Sequence, residues 1–237
     1  MTPEYAAIQT ESSLQANIKA LIMQGEFEPG ERIRENQLAQ RLEAGKAQIR
    51  RALAQLAALG IVQIRPRIGT FVFAMQETEF DHFNTVRALL ECAAISQAMS
   101  VDAPSFIAAL RVNLHQAHTL SAQENYRLIN AESRLAYRQM DREFHRFAFT
   151  IARNRYLSEM YETIDIKIWA MRSLLTFPEL NVRTSLDAHT AVVQFLERGA
   201  VEPACQRLQE HIRKSFSPQA RAMLAAIAER NSRPEGI

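Results

Sequence analysis

From about residue 76 onward the apolar residues of this chain recur three and four positions apart and never alternate over a useful length. That period is the one that lines a helix face, so about two thirds of the chain has to fold as helices that bury their stripes against one another. The stripes run over roughly 77–99, 103–120, 124–152, 155–175, 184–198 and 201–230, with breaks near Pro104, Asn154, Pro178 and Gly199. The expectation is an all-α bundle of six or seven helices, with the last residues, "NSRPEGI", frayed.

The first 75 residues follow a different grammar. Leu14, Ile18, Leu21 and Ile22 mark one face of a helix that ends by Gly25, and Pro29 and Gly30 build the turn after it. A short helix follows from about Glu35 to Leu42, then a turn around Ala44 and Gly45, then a third helix with Ile49, Leu53 and Leu56 as its buried stripe. Two short alternating runs, "IVQI" and "TFVF", flank "RPRIG" and read as a β-hairpin. Helix, helix, turn, helix, hairpin is the order of a winged helix-turn-helix. The chain is therefore expected to be mainly α, with a winged helix-turn-helix at 1–75 followed by an all-helical domain at 76–237.

Composition narrows the setting. Over 237 residues, 47% are hydrophobic and 23% charged, which suits a globular chain rather than a disordered one. The N-terminus has no basic segment leading into an apolar one, and no apolar run approaches the roughly 18 residues a spanning helix needs. A cytoplasmic protein without a membrane partner is expected. Cys92 and Cys205 lie far apart in helical segments, which fits packed, reduced thiols better than a disulfide framework. The net charge of +2 says little by itself, so the placement of charge matters more.

Between Lys46 and Arg67 stand Lys46, Arg50, Arg51, Arg65 and Arg67, without an Asp or Glu among them. Lys46 and Arg50 are one turn apart at the start of the third helix, where free N–H groups also favour phosphate. Arg51 flanks them, Gln48 could read a base edge through its amide, and Arg65 and Arg67 at the hairpin tip, turned by Gly69, can reach a minor groove or phosphates. A basic run alone is usually a solvated face. Here it coincides with the helix that such a fold inserts into the major groove, so double-stranded operator DNA is the expected partner. One recognition helix covers few base pairs, which calls for a two-fold homodimer.

The run "LIMQGEFEPGERIRENQLAQRLEAGKAQIRRALAQLAALGIVQIRPRIGTFV" resembles the DNA-binding domain of GntR-family bacterial transcription regulators over about fifty residues. The family pattern I-x-x-G-x-(L/F)-x-P-G stands at 22–30, and Arg50 matches the arginine of its recognition helix. Gly45, Gln48 and Arg51 depart from the usual serine, proline and glutamate, so the operator sequence does not carry over.

Asp141 and His145 in "DREFH" are four apart, so on a helix their side chains share a face. Such a pair is a surface ion pair or half of a metal site. His189 precedes Gly199 by ten residues and His211 follows it by twelve. In an antiparallel helix pair these offsets bring both imidazoles to within roughly 3 Å of the same height. One carboxylate and three imidazoles suit zinc first, and also nickel, manganese or iron.

Residues 80–215 are similar to the ligand-sensing FCD domain of the FadR subgroup of GntR regulators, through "VRALLE", "DREFHRFAFTIARNRYL" and "DAHTAVVQFLERGAVEPACQRLQEHI". The resemblance implies that Asp141, His145, His189 and His211 are the metal ligands; His115 and His118 are ordinary helix positions. It also implies dimer contacts in the bundle. A metal with open positions points to a small organic acid effector, with Arg87 and Arg172 as possible anchors, unless Arg87 simply pairs with Glu91. The expectation is a metabolite-responsive regulator, commonly a repressor. The alternative is a metal-dependent hydrolase or other metalloenzyme, although no H-E-x-x-H, nucleophile elbow or phosphate loop is present.

Overall fold

The computed structural model describes residues 11–123, 125–126, 130–174 and 182–232. The chain opens with α1 (Glu11–Met23), α2 (Glu35–Arg41) and α3 (Lys46–Ala58). Leu14, Ile18 and Ile22 of α1 are fully buried, as are Ile49, Ala52 and Leu56 of α3, and Leu38 of α2 closes the same small core. All of these but Ala52 and Leu38 are positions that the sequence pattern marks, as is the buried Leu53, with Leu21 half-buried at the margin. The hairpin is β2 (Val62–Arg65) and β3 (Gly69–Val72), paired antiparallel with Arg65 opposite Gly69.

A third strand, β1 (Arg32–Ile33), was not foreseen: it pairs Arg32 with Phe71 and Ile33 with Thr70, so that β3 is central in the order β1-β3-β2. Two residues are too few to show alternation, and only the edge offered by β3 makes them a strand. Gly69 is required at this junction. Its φ is 143°, and a Cβ there would stand 2.8 Å from Arg32 Nε.

Compactness divides the described chain differently from a single cut at residue 75. The unit holding the winged fold runs to Glu77 and also takes in Ile166 onward from α6 (Arg155–Leu174) and Ala222 onward from α9 (Pro218–Ser232). Asn231 Nδ2 donates to Glu28 Oε2 at 3.1 Å and to the Pro29 carbonyl at 3.2 Å, and Arg230 pairs with Glu28. Gly30 (φ 76°) lies so close beneath α9 that a Cβ would come 2.9 Å from the Ala228 carbonyl oxygen. Asn231, expected in a frayed tail, is thus held in place; the tail beyond 232 and the break expected near Pro178 lie outside the described residues.

The second unit has no strand among its described residues and is built from α4 (Glu79–Gln123), α5 (Ala131–Ala152), the first part of α6, α7 (Val182–Glu197) and α8 (Val201–Arg213). The break expected near Pro104 occurs at Asp102, which leaves helical geometry (φ −158°, ψ 75°) and accepts from Ser105 N–H at 3.1 Å, capping the next segment. Asn130 caps α5 through Ser133 N–H, which is why that helix begins at 131 and not at 124. The stripe over 201–230 is two helices. Ser217 Oγ accepts from Ala220 N–H and Pro218 opens α9, so a cap and an N-terminal proline interrupt a continuous apolar pattern. Phe106, Leu110, Tyr137, Val193, Leu196, Leu208 and Ile212 form the centre of the bundle.

Candidate metal centre and nucleic-acid interface

In the winged unit, α3 begins at Lys46 and presents Lys46, Arg50 and Arg51 exposed, with Arg67 exposed at the hairpin tip in the left-handed region (φ 64°). A groove of about 760 Å³ runs between helix and wing, lined by Arg32, Arg34, Arg50, Arg65 and Arg67 among others. Two details differ from the sequence expectation. The basic stretch does have a counterion, because Arg50 Nε donates to Glu35 Oε2 at 2.6 Å from α2. A count along the stretch misses it because Glu35 is packed alongside, fifteen residues earlier. Gln48 spends its carbonyl oxygen on the N-terminus of its own helix, accepting from Gly45 N–H at 2.9 Å. Arg65 donates to Gln63 and lies over the Phe71 ring, 4.3 Å from its centroid, which fixes the guanidinium along the wing.

In the helical unit Asp141, His145, His189 and His211 are all buried, and one ligand atom from each lies within 4.8 Å of the other three. The antiparallel turn at Gly199 brings His189 and His211 to one height, with their Nε2 atoms 3.1 Å apart. Nitrogens this close share a proton or a cation, since two facing lone pairs would repel. His189 is fixed by stacking on Phe144, with ring centroids 3.8 Å apart. Asp141 Oδ1 lies 3.9 Å from His189 Nε2 and accepts from Ser185 Oγ at 3.4 Å. Burial, then the neighbouring His189 and His145, hold the His211 imidazole well below its usual pKa, so it stays neutral with a lone pair to offer.

The outer shell comes from α4 and α6. Glu91, only 1% exposed, accepts from His145 Nδ1 at 2.7 Å, Arg87 Nε at 2.7 Å and Tyr161 Oη at 2.8 Å. Burial alone would push this carboxyl up; the Arg87 guanidinium and His145 outweigh it and hold Glu91 at about 2. A charged Glu91 fixes the proton on Nδ1 of His145, leaving Nε2 as the donor atom. That Nε2 is buried and has no hydrogen-bond partner in the protein. A buried polar atom without a partner is costly, and its presence among three other ligand groups is what a cation site requires. The residues present therefore fit a divalent metal held by Asp141, His145, His189 and His211.

Sequence reasoning raised the Arg87–Glu91 pair as the alternative to an effector anchor, and that pair forms. Arg87 Nη1, however, is buried without a partner, as are both amide atoms of Asn84 one turn earlier on the same face of α4. Neither Asn84 nor the orienting role of Glu91 was singled out from sequence. Arg172 is buried in the segment of α6 that belongs to the winged unit, not in the unit that holds the four ligand groups. His115 is exposed, and His118 Nε2 is hydrogen-bonded with Thr190 Oγ1 at 3.2 Å.

Comparison with known proteins agrees with this anatomy. Residues 10–72 match the family described as "Bacterial regulatory proteins, gntR family", and residues 83–214 match the FCD domain. The chain is 28% identical over 187 residues to the HTH-type transcriptional repressor RspR of Escherichia coli K12, covering 77% of this chain and 78% of that one. It is 24% identical over 195 residues to the probable D-xylose utilization operon transcriptional repressor of Paenarthrobacter nicotinovorans, covering 81% and 80%. Among solved structures, E. coli McbR/YncC superposes with a TM-score of 0.69 at 20% identity, covering 91% of this chain and 97% of that one, a likeness of fold. No helix among the described residues is long and apolar enough to cross a membrane. A winged DNA-binding unit followed by a bundle with a buried Asp and three His, matched over both parts, makes this chain a member of the GntR family of bacterial transcription regulators, with an FCD domain.

Proposed function

We propose that this GntR regulator is a cytoplasmic homodimeric repressor whose helical unit binds a divalent metal, zinc first among the candidates, and senses a small organic acid through it. The observation that carries the reading is the unpartnered Nε2 of His145, held in its tautomer by Glu91 and standing among Asp141, His189 and His211. When bound, the metal supplies open positions for an oxygen ligand. The protein's own groups do the rest: Glu91 orients His145, Arg87 Nη1 offers a charge-assisted donor to a carboxylate, and Asn84 offers a donor and an acceptor from the same helix face. The effector would select among bundle conformations and so change the affinity of the paired winged units for operator DNA.

Repression is supported by the two relatives named as repressors. Dimerisation is supported by the short reach of one recognition helix. Lys46, Arg50, Arg51, Arg65 and Arg67 are the DNA contacts of this reading, with Gly69 shaping the tip and Gln48 capping the helix that enters the groove. The test combines elemental analysis of purified protein, a thermal-shift screen of small organic acids with and without metal, and mobility shift of its promoter DNA. Bound metal, stabilisation by an acid only in the metal form, and loss of the DNA complex on adding that acid are expected. Metal-free protein unmoved by zinc, nickel or manganese would overturn the sensing site, and substrate turnover without a DNA complex would favour the enzyme.

A further inference from the structure

Cys92 and Cys205, 113 residues apart in sequence, meet across α4 and α8. Cys92 Sγ lies 3.7 Å from the Cys205 carbonyl oxygen, and Cys205 Sγ lies 3.9 Å from the Cys92 carbonyl oxygen. Reciprocal contacts of this kind require each side chain to lie against the other's backbone, which small neighbours permit: Ala88, one turn before Cys92, and Ala204, beside Cys205, are both buried. These are the only cysteines of the chain.

Both are half-buried and not sealed. Gln209 Nε2 donates to Cys92 Sγ at 3.7 Å, and Gln209 and Gln206 line a groove of about 530 Å³ with Ala88 and Leu89. A small polar oxidant can thus approach the pair along that groove. The two sulfurs are not equivalent. The neighbouring Cys92 lowers the Cys205 thiol below its ordinary pKa, while Cys205 and burial push Cys92 up, which makes Cys205 the readier nucleophile.

We propose that Cys92 and Cys205 are a reversible dithiol–disulfide couple, a modification site for hydroperoxides that joins α4 covalently to α8. The Cys205 thiolate attacks one peroxide oxygen and the O–O bond breaks. With hydrogen peroxide the leaving hydroxide takes a proton to become water, and Cys205 becomes a sulfenic acid, its sulfur oxidised by two electrons. The Cys92 sulfur then attacks the Cys205 sulfur, the S–O bond breaks, and the departing hydroxide leaves as water with the Cys92 proton. Two thiols and one peroxide give one disulfide and two waters. A low-molecular-weight thiol reverses the step by exchange. The link pins the helices that carry Glu91 and His211, but its chemistry does not depend on the metal reading.

The test treats the reduced full-length protein with hydrogen peroxide, counts thiols after denaturation, and maps unreduced peptides by mass spectrometry. Both thiols should disappear together, a Cys92–Cys205 peptide should form within a chain that runs as a monomer on a non-reducing denaturing gel, and dithiothreitol should restore both. Cys92→Ser should stop at a sulfenic acid on Cys205 that dimedone traps, and Cys205→Ser should react at least tenfold more slowly. Chain-to-chain crosslinks, accumulation of sulfinic acid on wild-type Cys205 without the linked peptide, or thiols untouched by peroxide would each overturn the proposal.

Discussion

Replacing Glu91 with glutamine changes one atom and should disturb two properties that can be measured separately. Glu91 Oε1 receives Arg87 Nε and Tyr161 Oη, and Oε2 receives His145 Nδ1. A glutamine has a single carbonyl oxygen, and the favoured orientation gives it to the two donors and turns the NH2 toward His145. His145 must then accept on Nδ1, so its proton moves to Nε2, the atom that faces the other ligand groups. A protonated Nε2 cannot coordinate. Loss of such an orienting partner lowers metal affinity by about 10- to 100-fold, or about 1.4 to 2.7 kcal/mol. Separately, Arg87 keeps an acceptor but loses its buried counter-charge. Removing one member of a buried pair costs about 3 to 5 kcal/mol, and the retained hydrogen bond places this substitution near the lower figure. Competition titration with a chromophoric chelator reads the first quantity, and urea unfolding of metal-free protein reads the second. Tyr161→Phe is the control: it should cost about 1 kcal/mol of stability and leave metal affinity unchanged. Wild-type metal affinity in a destabilised Glu91→Gln would refute the tautomer argument and leave Glu91 as a counterion only.

Single substitutions of His145, His189 or His211 by alanine should abolish stoichiometric metal and the rise in Tm on adding it, whereas His115→Ala and His118→Ala should do neither; metal analysis and thermal unfolding check this. Arg50→Ala should weaken operator binding by about 1 to 3 kcal/mol, while Glu35→Ala, which releases Arg50 from its pair, should not weaken it; Arg67→Ala should reduce affinity evenly across sequences and flatten the salt dependence. In metal-free protein, His211 titrates well below 6.5 when folded and near 6.5 when unfolded, so the unfolded chain takes up the proton first. Its contribution to stability should be complete above about pH 6.5 and decline as pH falls below that, with no such decline in His211→Phe; urea midpoints across pH provide the measurement.

Most of the helical skeleton was legible because its apolar residues repeat with a helical period and its stops are polar caps or glycines. The meeting of His189 and His211 followed from counting outward from Gly199, since helical rise converts sequence distance into height. What was not legible had partners set by packing. β1 is too short to have a pattern, and α8 and α9 share one uninterrupted stripe that only Ser217 and Pro218 divide. Glu91 read as an i, i+4 partner of Arg87, which it is, but its contact with His145 spans 54 residues between separate helices. The same holds for Cys92 with Cys205, where distance in sequence suggested separation and the close approach of two small-residue helices reversed it.

The turn at Glu28–Gly30 has a further implication for how the protein is made. Its cover, Arg230 and Asn231, is translated 202 residues after the turn itself has left the ribosome. During synthesis the winged unit must wait, with Glu28 and the Pro29 carbonyl still solvated, until nearly all of the bundle has emerged. A nascent or proteolytically shortened chain can therefore hold a recognition helix yet lack the segment that completes the unit bearing it. Engineered fusions that splice a foreign sequence into α9 would perturb the N-terminal fold, although in linear order they sit about as far from it as the chain allows.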